Sequence, residues 1–256
     1  MIGILGTGID GQLAFVHECV GQELAAVIPQ KHIHRQAIFE NGEDGGYGEI
    51  ESQLLYAFIR RKKPAKIVQI GCGVSTAVIL RAAIDEGYCP EIVCIEPFPT
   101  EYLERLAAEQ SIRLIKEKAQ KVDIQVLSDI SANDLLFVDS THTVKPGSEV
   151  NRLILEVFPR LKKGTWIHLH DIYFPYDFKR DLLDADLFFW SESTLLQAFL
   201  TQNNSCRIDC SMSMLHYAAP DKLKLLLTDY VPQGNENGLK TESGKHFPSA
   251  IYLQTI

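Results

Sequence analysis

The sequence predicts an α/β fold, doubly wound around an open parallel sheet, and three observations carry that prediction. Short apolar, β-branched runs alternate with amphipathic stretches between residues 66 and 169, the pattern of βαβ units stacked side by side. The first run, Lys66 to Ile70, breaks at Gly71, continues through Gly73, and passes into the helix-forming stretch Ser75 to Ala83. That is strand, glycine turn and helix, the opening unit of such a sheet. The run Leu135 to Val138 is apolar at every position, as befits a strand buried on both faces.

The totals set the bounds. A chain of 256 residues builds one large α/β domain or two small ones and buries an ample core either way. Hydrophobic residues make up 46% and charged residues 23%, values of an ordinary soluble protein. A net charge of −8 and a pI near 5.5 argue against nonspecific binding to nucleic acid or to an anionic membrane. Arg60-Arg61-Lys62-Lys63 closes a helical pattern and complements that helix's C-terminal dipole. The 6 cysteines include no C-x-x-C pair and no zinc-ligand spacing. Cys72, Cys94 and Cys206 lie in or beside apolar runs, where a reduced thiol packs as a small hydrophobe. No secretory signal or membrane-length run is present, so a soluble cytoplasmic location is the expectation.

Taken in order, residues 1–45 read as an N-terminal leader and 46–256 as the main domain. Gly6 to Gly11 spells a literal G-x-G-x-x-G, but no acidic residue closes a second strand about twenty residues on. A nicotinamide-dependent oxidoreductase using this turn is the alternative reading, and a leader with one amphipathic helix over Gln12 to Ile28 the preferred one. Asn41 to Gly48 is a glycine-rich break. Glu49 to Arg61 repeats apolar residues at i, i+4 spacing and predicts a helix. Glu91 to Ile95 is the second strand; Thr100 caps a helix to Glu109; Ile112 to Ile115 is the third strand and Lys116 to Asp123 a polar loop. Gly147 to Leu161 predicts a helix kinked or shortened at Pro159. Thr165 to Leu169 is the fifth strand, and Glu192 to Gln202 a helix. Arg207 to Tyr217 and Ser249 to Thr255 read as two strands around a helix at Asp221 to Asp229, with Pro232 to His246 a mobile polar connection.

Function is concentrated at the strand ends. Gly71 and Gly73 lack a Cβ, so backbone amides of the turn approach a ligand closely, and the next helix points its N-terminus at the same place. Glu96 ends the second strand, where an acidic side chain accepts hydrogen bonds from ribose hydroxyls. The third glycine of a dinucleotide turn is replaced by Thr76, which tells against a pyrophosphate.

The segments IVQIGCGVST, IVCIEP, DLLFVDSTHTVKPGSEVN and WIHLHDIYFPYDF occur in this order within 46–256. Together they resemble a class I S-adenosylmethionine-dependent methyltransferase of methyltransferase family 24, related to sugar O-methyltransferases and cephalosporin-hydroxylase-like proteins. The resemblance implies a Rossmann-like seven-stranded sheet, parallel except for a last strand inserted antiparallel. It implies S-adenosylmethionine as cofactor, held by Gly71, Cys72, Gly73, Ser75 and Glu96, with Asp139 and Ser140 at the fourth strand. It places Tyr47 and Glu49 at the edge of that site, and Ala119 and Gln120 near the adenine. One departure is Gln69, where the family carries an acidic residue. The implied reaction is methylation of an oxygen on a small molecule or sugar building block; a protein that binds S-adenosylmethionine without turnover is a further alternative.

Catalytic candidates are His142, His170 and Asp171, because a methyl acceptor needs alignment and a base, and histidine titrates near neutrality. Metal-dependent relatives place acidic ligands at the strand ends occupied by Asp139 and Asp171, so these would hold a magnesium ion; the metal-free base is favoured. His168 reads as a core residue. Tyr173 to Phe178 and Phe188 to Trp190 suit an aromatic wall for a sugar or ring, or else packing in the core or a homodimer interface.

Overall fold

Seven strands form one sheet: β1 Lys66–Ile70, β2 Glu91–Ile95, β3 Arg113–Ile115, β4 Leu135–Val138, β5 Trp166–Leu169, β6 Cys206–Ser211 and β7 Ile251–Thr255. Their order is β3-β2-β1-β4-β5-β7-β6. All neighbouring pairs are parallel except β7, which lies antiparallel between β5 and β6. This is the expected sheet. The computed structural model describes residues 1–43, 45–177, 190–232 and 248–256. Phe178, Phe188, Phe189 and most of the connection expected over Pro232 to His246 therefore lie outside the described residues.

Helices cover both faces: α1 Ile9–Val27, α2 Ile33–Glu40, α3 Glu49–Lys62, α4 Val74–Glu86, α5 Glu101–Ala108, α6 Ile124–Ser128, α7 Glu149–Arg152, α8 Glu192–Leu200, α9 Met212–Ala218 and α10 Pro220–Leu226. Strand side chains alternate between two cores, as the pleat requires. Ile67, Phe137, Trp166 and Tyr252 join Phe15 of α1 and Phe58 of α3 on one face. Val68, Val138, Ile167 and Leu253 join Val150 of α7 and Leu196 of α8 on the other. The first 45 residues share the first of these cores through Phe15, Val16, Cys19 and Val20.

Three expectations change. The helix expected over Gln12 to Ile28 starts at Ile9 and is broken at Gly21 (φ 58°, ψ 173°), a conformation glycine adopts without a Cβ clash. The helix expected over 147–161 starts as α7, widens into a π-turn at Leu153–Val157 and ends in a 3₁₀ turn at Phe158–Arg160. Pro159, lacking an N–H, gives that change of winding its cause. The strand expected over Arg207 to Tyr217 stops at Ser211, whose hydroxyl accepts from Met214 N and opens α9. An N-cap serine thus turns an apolar run from strand to helix. α2 and α6 were not anticipated.

The first glycine of the N-terminal motif, Gly6, has a packing role. A Cβ on Gly6 (φ +82°) would lie 1.8 Å from Ile208 O, and Ile208 N donates to Leu5 O at 3.0 Å. That turn is pressed against the β6 backbone, which accounts for its glycine without a dinucleotide.

Candidate active site

β1 is flanked by β2 on one side and β4 on the other, so the connections leave it in opposite directions and open a crevice at its carboxyl end. The turn after β1 is tightly built. Gly71 (φ +79°) sits where a Cβ would fall 1.6 Å from Asp139 O, while its N–H donates to Ile95 O at 3.1 Å. Only glycine allows the ends of β1, β2 and β4 to meet this closely.

Glu96 reaches back over the turn. Its Oε2 accepts from Cys72 N at 3.3 Å and its Oε1 from Phe98 N at 2.9 Å, which fixes the carboxylate at the rim of the crevice. Gln69 is wholly buried. Its Nε2 donates to Ser75 Oγ at 2.7 Å, and its Oε1 accepts from Thr76 Oγ1 at 2.9 Å. The residue that departs from the family pattern thus pins the first turn of α4 from within.

The crevice has a volume of ≈ 770 Å³, and its walls include Tyr47, Gly71, Cys72, Gly73, Ser75, Glu96, Asp139, Ser140, His142 and Asp171. Those ten candidates converge on one place. Ala119 and Gln120 do not line it: Ala119 is buried, its carbonyl accepting from Arg152 at 2.6 Å, and Gln120 donates to Glu149 Oε2 at 2.9 Å. His170 is buried behind the wall, and Glu49 is exposed at the start of α3. His168 is a core residue, stacked 4.5 Å from Phe137, with Nε2 3.2 Å from the Tyr47 hydroxyl.

At the floor lies a buried acid–imidazole cluster. Asp139 Oδ1 is 3.2 Å from His170 Nδ1 and 3.4 Å from His142 Nε2. Asp171 Oδ2 lies 3.6 Å from each of the same two nitrogens. Asp171 Oδ1 accepts from the Tyr173 hydroxyl at 2.8 Å and Ser249 Oγ at 3.0 Å. On its other side, His142 Nδ1 is 2.8 Å from Glu192 Oε2, and His170 Nε2 is 3.9 Å from Glu51 Oε1.

These contacts set the protonation states. Burial disfavours charge on Asp139, but His170 and the hydrogen bonds from both imidazoles hold its carboxyl well below the ordinary range. Burial alone would lower both histidines. Asp139, Glu192 and Asp171 instead raise His142 well above its usual value, and Asp171, Asp139 and Glu51 bring His170 to about 9. His168, desolvated and beside His170, is pushed down to about 3 and is neutral. The expectation of a base poised near neutrality is therefore revised: both imidazoles rest protonated.

Trp190, expected in an aromatic wall, lines the crevice, whereas Asn41, Glu51, Glu149 and Glu192 belong to this site or its support and escaped the sequence reading. Asn41 comes from the leader, lines the crevice and accepts from Thr100 Oγ1 at 3.0 Å. Glu149 accepts from Thr141 N at 3.0 Å and braces the loop after β4. Glu51 and Glu192 stand at helix starts, where acidic residues are ordinarily solvated, and no local signal announces their burial.

The residues fit a nucleoside-bearing cofactor. The crevice holds an acid for a ribose at Glu96, an open helix start at α4, and a buried Ser140 hydroxyl without a hydrogen-bond partner among the described residues. They do not fit a metal ion: Asp139 Oδ1 faces two imidazole nitrogens, Asp171 Oδ1 takes two hydroxyl donors, and among the described residues no three His, Cys, Asp or Glu side chains are arranged to hold a metal ion.

The sheet order is that of the Rossmann-like methyltransferase fold. The methyltransferase-domain model of methyltransferase family 24 matches residues 68–172, from β1 to just past β5. That is the family the motifs resemble, and the methyl donor of this class is S-adenosylmethionine. An uncharacterised protein of Archaeoglobus fulgidus is 26% identical over 128 residues, 48% of this chain and 55% of its own length; the match thus spans about half of that relative. The methyltransferase PaMTH1 of Podospora anserina, solved with S-adenosylhomocysteine bound, superposes with a TM-score of 0.52 at 14% identity, covering 92% of this chain and 97% of that one. A Klebsiella pneumoniae protein assigned as an O-methyltransferase gives a TM-score of 0.47 at 17% identity, covering 72% and 84%. No described helix is long and apolar enough to cross a membrane.

Proposed function

We propose that the protein transfers the methyl group of S-adenosylmethionine to an oxygen of a small-molecule or sugar acceptor. One observation carries the reading: His142 opens onto the same crevice as Gly73 and Glu96, so a base and a cofactor-binding turn share one space. The sulfonium of the bound donor supplies an activated methyl and its own leaving group. The turn at Gly71 to Ser75 and the Glu96 carboxylate hold and orient the donor. His142 Nε2 takes the proton of the acceptor hydroxyl, with Asp139 and Asp171 balancing the imidazolium that results. His170, behind the wall, stabilises the two aspartates rather than touching the acceptor.

Two measurements test this. Glu96→Ala is expected to weaken S-adenosylhomocysteine binding by about 1–3 kcal/mol, the cost of leaving a polar partner unpaired; unchanged affinity by calorimetry removes Glu96 from the site. His142→Gln is expected to lower turnover roughly 10²–10⁴-fold with cofactor affinity nearly unchanged. Turnover in the native enzyme should rise with pH into the alkaline range, because His142 must lose a proton that its carboxylate neighbours retain. Activity abolished by a chelator and restored by Mg²⁺ would replace the base with a metal.

A further inference from the structure

The start of α8 grips His142 more completely than packing requires. Ser191 N and Glu192 N both donate to the His142 carbonyl, at 2.9 and 3.2 Å. Ser191 Oγ accepts from Val144 N at 3.1 Å, and the Trp190 ring meets the imidazole edge-on at 5.1 Å. Beneath these contacts Glu192, only 1% exposed, sets Oε2 2.8 Å from Nδ1. Its Oε1 is buried with no hydrogen-bond partner among the described residues.

We propose that Glu192 is a positioning residue of the reaction, holding the proton on His142 Nδ1 so that Nε2 is the nitrogen that faces Asp139, Asp171 and the crevice. A carboxylate only accepts, so a nitrogen 2.8 Å from it must donate. With Nδ1 fixed as a donor, the proton that leaves and returns is the one on Nε2, on the crevice side. The backbone grip adds to this: His142 has φ 55°, the two α8 amides hold its carbonyl, and Glu192 and Trp190 hold the ring itself. This assignment rests on the proposed base role of His142, yet the hydrogen bond is observable without any acceptor.

The test is proton and nitrogen NMR of the full chain labelled at histidine, with and without S-adenosylhomocysteine, the His142 signal being identified by its loss in His142→Gln. The native protein should show a far-downfield, exchange-protected Nδ1 proton, the mark of a charge-assisted bond. Glu192→Gln, which keeps shape and can still accept through its amide oxygen, should retain that proton but move it upfield. Glu192→Leu should lose it or leave it exchanging freely. An Nδ1 without a proton in the native protein, or a resonance that Glu192→Gln leaves in place, overturns the proposal. Calorimetry with S-adenosylhomocysteine on the same samples separates the failures. A native protein that does not bind it defeats the methyltransferase reading while the NMR result stands. Normal binding with an unmoved resonance defeats only the positioning role.

Discussion

At Gly71 a single hydrogen in place of a methyl decides whether the site exists. Its positive φ and the 1.6 Å approach of a notional Cβ to Asp139 O make Gly71→Ala strained in both conformation and space. We expect a loss of stability of about 1–3 kcal/mol or more, read from urea unfolding. Gly8, the N-cap of α1, has nothing within 4 Å of its notional Cβ, so Gly8→Ala should leave S-adenosylhomocysteine affinity unchanged. Gly71 and Glu96 were legible because turn chemistry is local: residue type, spacing and strand ends suffice. Glu51, Glu192 and Asn41 were not, because what distinguishes them is burial by segments distant in sequence. Gln69 lies between these cases. Its departure from the family pattern is visible in the sequence, but its hydrogen bonds to Ser75 and Thr76 are not.

Elements were legible where a period and a boundary agreed. β1, β2 and β4 combine apolar runs with ends at Gly71, Glu96 and Asp139, and the centre of the sheet follows from them. The stretch after β6 misled because Met212, Met214 and Leu215 satisfy either period, and a single serine cap decides between them. α1 illustrates how an element is held by one polar side chain. Gln12, 1% exposed, donates to Gly6 O at 3.1 Å and accepts from Ser211 N at 2.9 Å. It thereby ties α1, the N-terminal turn and the end of β6 together. Gln12→Leu leaves Ser211 N unpaired in the core and removes the bond to Gly6 O, and we expect it to destabilise the protein by about 1–3 kcal/mol, measured as a lower denaturation midpoint. A midpoint matching that of the native protein would show that α1 docks through its apolar residues alone.

Across the whole molecule, the buried imidazoles make stability depend on pH in opposite directions on two sides of one maximum. His168 is desolvated and lies at about 3 when folded, against 6.5 when free. Between those values the unfolded chain holds a proton that the folded one lacks, so stability falls as pH drops below about 6.5. His170 works the other way. Burial opposes its charge, but Asp171 and Asp139 prevail and bring it to about 9. Its contribution is complete below 6.5 and lost as pH rises through about 9, and His142, raised by Asp139, Glu192 and Asp171, adds in the same sense. The alkaline loss attributable to His170 is on the order of 3 kcal/mol, from the separation of 6.5 and about 9. Thermal unfolding of the ligand-free protein should therefore show its highest Tm near pH 6.5. His168→Phe, keeping a ring against Phe137, should flatten the acid side, and His170→Gln the alkaline side. A native profile still rising from pH 7 to 9 would show that the carboxylates at the floor of the crevice do not hold these imidazoles protonated in the folded state.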